Sequence, residues 1–82
     1  MSKHDKTLDR ISATPTRANI KWNDIESLFR NLGADITQGN GSRVRVSLNG
    51  VKATFHRPHP SPEAKKPTVD KVREFLEKAD KL

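Results

Sequence analysis

His56 and His59, in the run His56-Arg57-Pro58-His59-Pro60, are the side chains of this chain best suited to moving protons. An imidazole, with an ordinary pKa of about 6.5, changes charge near physiological pH and can act as general acid or base. Thirteen residues before His56 stands Arg43, in the run Gly41-Ser42-Arg43-Val44. A guanidinium beside an imidazole can hold a phosphate and stabilise charge that builds on it. The spacing His56-x-x-His59 also has the look of a metal pair. A zinc site wants three or four protein ligands, however, and with no cysteine and no further histidine nearby only Glu63 could assist, so no metal and no cofactor is expected. Gly39–Gly41 precedes no helix with the spacing of a nucleotide cradle and reads as a turn. No Ser-His-Asp set and no carboxylate pair stands out.

The elements that must bring these groups together are legible in the same stretch. Arg43–Leu48 and Val51–His56 alternate apolar and polar residues on either side of Asn49-Gly50, a signal for a two-residue hairpin. That turn sets a register in which Leu48 faces Val51, Val46 faces Ala53 and Val44 faces Phe55 on an apolar side. On the other side Ser47 faces Lys52, Arg45 faces Thr54 and Arg43 faces His56. One face suits a core and the other an anionic partner.

Before the hairpin, Ile25, Leu28, Phe29 and Leu32 form one helical stripe, within an element expected over Ile20–Leu32. Asn23 and Glu26 have capping-box spacing, and Gly33 is placed to end the helix in a left-handed conformation. Trp22 is expected to pack onto the domain rather than to stack on a ligand. Ala34–Gln38 reads as an edge strand. Beyond His56, Pro58, Pro60 and Pro62 force an extended loop, and Pro67 fits the first turn of a closing helix. Val69, Val72, Leu76 and Ala79 give that helix its apolar stripe, with Phe75 on the margin and a Glu74–Lys78 pair on the surface. The order of elements predicts an α+β fold, αβββα, in which a three-stranded antiparallel sheet has two helices on one face. This is the layout of double-stranded-RNA-binding domains. Residues 1–18 carry only Leu8 and Ile11 as large apolar residues beyond the first and read as a flexible arm, His4 included. Residues 19–82 form the domain.

Composition narrows the partner. Eighty-two residues make one small domain, and 32% apolar residues a modest core, because a chain this short buries only about 60% of its unfolded surface. A formal charge of +6 and a pI near 10.1 point to nucleic acid, an anionic membrane or an acidic protein. No long apolar run, signal-peptide core or basic amphipathic helix favours the membrane. The lack of cysteine fits a reducing, cytoplasmic setting.

From about Asn19 to the C-terminus the chain resembles the HicA family of toxins. The resemblance is carried by Ile20-Lys21-Trp22-Asn23-Asp24-Ile25-Glu26, the Leu32-Gly33-Ala34 helix end, the Gly41-Ser42 turn and the Arg57-Pro58-His59-Pro60 loop. It implies a double-stranded-RNA-binding-like fold that cleaves mRNA and is neutralised by an antitoxin of the HicB type. The family's usual histidine after the Gly-Ser turn is replaced here by Arg43, and the hairpin register offers His56 as its substitute. The expected site is therefore His56 and Arg43 for catalysis, with Ser42, Arg45, Lys52, Arg57 and His59 holding RNA, in a monomer when alone. Lys65, Lys66, Lys71 and Arg73 extend the basic surface. Two other readings are a non-catalytic RNA-binding module and a basic domain for an acidic protein partner.

Overall fold

The computed structural model describes residues 3–59 and 61–82. Met1, Ser2 and Pro60 lie outside them, including the Pro60 part of the expected proline loop. Its centre is the hairpin. Strands β3 (Arg43–Leu48) and β4 (Val51–His56) pair antiparallel in the expected register, from Leu48 opposite Val51 to Arg43 opposite His56. Asn49 and Gly50 take φ of 51° and 78°, the left-handed pair that matches a two-residue turn to strand twist. Strand β2 (Asp35–Gln38) adds on the far side of β3, giving the order β2-β3-β4.

Helix α2 (Trp22–Asn31) buries Trp22, Ile25, Leu28 and Phe29 against the sheet. It ends as the glycine foretold. Gly33, at φ 89°, donates to the Arg30 carbonyl at 3.1 Å and Ala34 to that of Phe29 at 3.0 Å, the paired closure of a Schellman motif. Its start differs from expectation. The helix begins at Trp22, because Ile20–Lys21 is instead a short strand, β1, paired antiparallel with β5 (Glu63–Ala64). The Trp22 amide donates to the Pro62 carbonyl at 3.0 Å, so no Asn23 capping box is needed or formed, and Lys21 stands at the cap. Pro62 and β5 are thereby fastened to the entry of α2.

Helix α3 (Lys66–Lys78) carries Pro67 in its first turn and buries Val69, Val72, Phe75 and Leu76. Phe75 is core rather than marginal. Its ring lies 5.6 Å from Phe29 and 5.8 Å from Phe55, which in turn stacks on Phe29 at 5.7 Å and meets Trp22 at 5.8 Å. Aromatic pairs at such spacings add about 0.5–1.5 kcal/mol each beyond area burial. The Asn49 amide donates to the Ala79 carbonyl at 2.7 Å, tying the hairpin turn to the end of α3.

Where an arm was expected, Lys3–Ser12 forms a third helix, α1, docked on α2 and α3. Ile11 is fully buried, Lys3 pairs with Asp24 at 3.0 Å, and His4 Nε2 lies 3.0 Å from Ser27 Oγ. Arg73 donates to the carbonyls of Ile11 (2.9 Å) and Ala13 (3.0 Å), a cation on the orphan acceptors of a helix C-terminus. The expectation failed because two apolar residues seemed too few to order the segment. The missing contribution comes from residues distant in the chain, about twenty positions away on α2 and about sixty on α3. Arg73 is thus largely committed to α1 rather than to a basic surface.

Candidate nucleic-acid interface

The outer face of the sheet carries what the core does not cover. Arg43, Arg45, Lys52, Thr54 and His56 are exposed, and Arg43 stands directly across from His56. The next row along is Thr37, Arg45 and Thr54, and the third is Asp35, Ser47 and Lys52. Asp35 offsets Lys52 at the turn end. The cationic character therefore gathers toward His56. A shallow depression of about 360 Å³ runs between these rows, with Asp35, Thr37, Arg45, Lys52 and Thr54 on its walls. Lys52 sits four residues from His56 along the same face, about 13 Å away.

Gly39 keeps the Arg43 end open. A Cβ there would lie 3.2 Å from the Arg43 Cβ, so any larger residue would press on the guanidinium's stem. The turn before β3 is tied to the loop after β4, since the Arg57 amide donates to the Ser42 carbonyl at 2.9 Å. Exposed Ser42 is thus brought to the same end of the sheet. Beyond β4 a second cleft, about 300 Å³, is lined by His56, His59, Glu63, Lys65 and Thr68 among others. The two histidines open onto one space. Among the described residues no group of three or more His, Cys, Asp or Glu could hold a metal ion.

Arg57, expected to contact RNA, is used differently. Its guanidinium faces inward and donates from Nε to Glu26 Oε2 at 2.8 Å and from Nη2 to Oε1 at 3.2 Å. Glu26 also accepts from the Trp22 indole and from Arg30 at 3.3 Å, which occupies both oxygens. The Gln38 carbonyl oxygen, oriented as this network requires, accepts from Arg57 Nη2 at 3.1 Å. The Glu26 side chain is only 6% exposed and that of Arg57 32%. Burial, the strongest single influence on Glu26, favours its neutral form. Hydrogen bonds from Arg57 and Trp22, with the charges of Arg57 and Arg30, outweigh it and hold the carboxyl below its ordinary value. Arg57 is raised by the same bond. The pair fixes the start of the His56–His59 loop against α2, and a fork so occupied has little left for a phosphate.

Glu26 was legible in principle. It falls between Trp22 and Phe29 at helical spacing, inside the apolar stripe, where a carboxylate needs a cation. Which cation it takes is a long-range matter that no local pattern announces. Lys71, expected to extend the basic surface, is drawn onto the sheet edge. Its ammonium bonds the Thr54 carbonyl and lies 5.2 Å from the Phe55 ring centroid.

A family model described as "HicA toxin of bacterial toxin-antitoxin" matches residues 22–80, well over half of the chain. Neither curated proteins nor solved structures gave a match.

Proposed function

This chain belongs to the HicA toxin family, and we propose that it binds mRNA on its outer sheet face, cleaves it without a metal, and is silenced by a HicB-type antitoxin. Membership carries a toxin role and an antitoxin partner; the RNA chemistry is our reading of this chain's own residues. What supports it most is the cross-strand pair of Arg43 and His56 on an exposed, cationic face.

In this reading Arg43 holds the scissile phosphate, and Arg45 and Lys52 hold its neighbours. His56 takes the proton from the ribose 2′-hydroxyl, O2′ bonds to phosphorus, and the bond to O5′ breaks. O5′ collects a proton from His59, which opens onto the same cleft, or from water. The products are a 2′,3′-cyclic phosphate and a free 5′-hydroxyl. Arg43 meets the charge that grows on the phosphoryl oxygens. The toxin acts as a monomer in the cytoplasm. No helix among the described residues is long and apolar enough to cross a membrane.

The test is purified protein with end-labelled RNA in the presence of a chelator. Fragments ending in cyclic phosphate are expected, and His56→Ala should cut at least about a hundredfold more slowly while keeping its circular dichroism. Cutting by His56→Ala at the parent rate removes His56 from the mechanism. A second reading, RNA binding without cleavage, is favoured by Arg43 following Gly41-Ser42, where the resemblance implies a histidine. Retained RNA with no new fragments selects it.

A further inference from the structure

Strand β4 is one edge of the three-stranded sheet. In a two-residue hairpin the residues flanking the turn, here Leu48 and Val51, exchange hydrogen bonds, and the pattern alternates from there. Val51, Ala53 and Phe55 therefore direct their backbone groups to β3, while Lys52, Thr54 and His56 direct theirs outward. The Lys71 ammonium, which reaches the Thr54 carbonyl from α3, agrees with that assignment. Along this edge runs a groove of about 330 Å³ between β4 and α3. Val51, Ala53 and Phe75 supply its apolar lining, and Lys52, Lys71 and Lys78 its charge. Glu74 is the one acid lining it, 3.8 Å from Lys78.

We propose that this edge is a docking site for an extended, acidic polypeptide segment, which adds to β4 as a fourth strand and is supplied by the antitoxin. The strand's backbone would pair with the outward groups of Lys52, Thr54 and His56. Its inward side chains would enter the groove over Val51, Ala53 and Phe75, and its carboxylates would meet Lys52, Lys71 and Lys78. Pairing along an exposed edge draws affinity from the main chain and specificity from alternate side chains. Lys71 guards the edge in the free toxin, a common way to blunt an open strand. An incoming amide replaces it on the Thr54 carbonyl and frees its ammonium for a partner carboxylate. A second copy of the chain is disfavoured, since a lysine-rimmed edge on a molecule of charge +6 repels its like. A phosphodiester backbone has no use for an apolar floor or for amides at strand spacing. The partner's identity rests on family membership, whereas the surface rests on geometry and charge and does not need RNA cleavage to be right.

The probe is a synthetic ten-residue peptide alternating glutamate with valine and isoleucine, titrated into the full isotope-labelled chain. Exchange protection of the Lys52, Thr54 and His56 amides, stronger than that of any other exposed amide, is expected. Thr54→Pro should abolish it, because proline is tolerated on an edge whose N–H faces outward but cannot donate. Should that variant fold poorly, Lys71→Gln, which leaves the backbone untouched, should weaken binding about two- to fivefold, the worth of one exposed ion pair. No protection, equal protection by the same peptide with lysine for glutamate, or protection that rises with protein concentration and no peptide would each overturn the proposal. So would a 20-base-pair RNA duplex that protects the same three amides. Since only binding is read, failure here leaves the cleavage assay unaffected.

Discussion

His56 and Arg57 are neighbours in the chain and opposites in circumstance. His56 looks outward onto a wet face shared with Arg43 and Arg45, where charges have solvent around them. Arg57 turns inward and closes on Glu26 beneath Trp22, where each charge is held by a partner. Phe55, one residue earlier, belongs to the inner side too, touching Trp22, Phe29 and Phe75 at once. The contrast teaches what each region can do. Charges on the outer face remain available to a ligand, whereas those of the inner knot are consumed in holding the strand end still. A change inside should therefore cost folding, and a change outside should cost binding alone.

The hardest blow to that division falls on Phe55. Its side chain is the common member of three aromatic contacts and is almost wholly buried. Phe55→Ala should lose about 3–5 kcal/mol, the usual range for emptying such a site. In a chain this short each kcal/mol lowers Tm by about 4–8 °C, so a melt will show the transition collapse or vanish. A fall of only a few degrees would mean the cluster is not what anchors β4.

Next in size is the ionic knot. Arg57→Ala strands Glu26 with the Trp22 indole and Arg30, and should cost about 2–3 kcal/mol. That is less than a fully buried pair would lose, since Arg57 is partly exposed and Arg30 remains. The sign with pH follows from the lowered carboxyl. Glu26 binds its proton more weakly folded than unfolded, so its contribution is complete above its ordinary value of 4.5 and is lost as pH falls through the lower folded value. Denaturant melts from pH 6 to pH 3 should show the parent losing stability over that window, and Arg57→Ala losing less of it. Parallel curves would break the claim that this pair holds the loop.

The two regions also differ in how far the chain announces them. The hairpin was legible to the residue, because Asn49-Gly50 and strict alternation are local signals and a one-residue slip would bury Arg45 and expose Val46. The outer face followed directly. The inner knot was half legible: a carboxylate in an apolar stripe marks a need, but Arg57 answers it from elsewhere in the fold. Helix α1 and the β1–β5 pair were hidden for the same reason. Ile11 needs Arg73 at the helix end, and Ile20–Lys21 needs Glu63–Ala64, and neither two-residue strand has room for a pattern. Local chemistry was readable wherever a turn dictated it, and unreadable wherever a single long-range contact did.

The smallest effect on folding should come from the outer face. Arg45 is exposed in the middle row of the sheet, with Thr37 and Thr54 on either side. Removing its charge should leave stability within about 0.5 kcal/mol of the parent, as exposed positions away from packing usually do. RNA affinity should fall nonetheless, and its slope against salt should flatten by about one counterion, because one fewer phosphate is neutralised. The proper readout is Arg45→Ala in a binding titration at several salt concentrations beside a thermal melt. An unchanged salt slope would mean that no phosphate reaches this row, and would confine the interface to the Arg43–His56 end. A lowered melt with unchanged binding would reverse the comparison altogether, making the wet face a structural region and leaving the buried knot no different in kind.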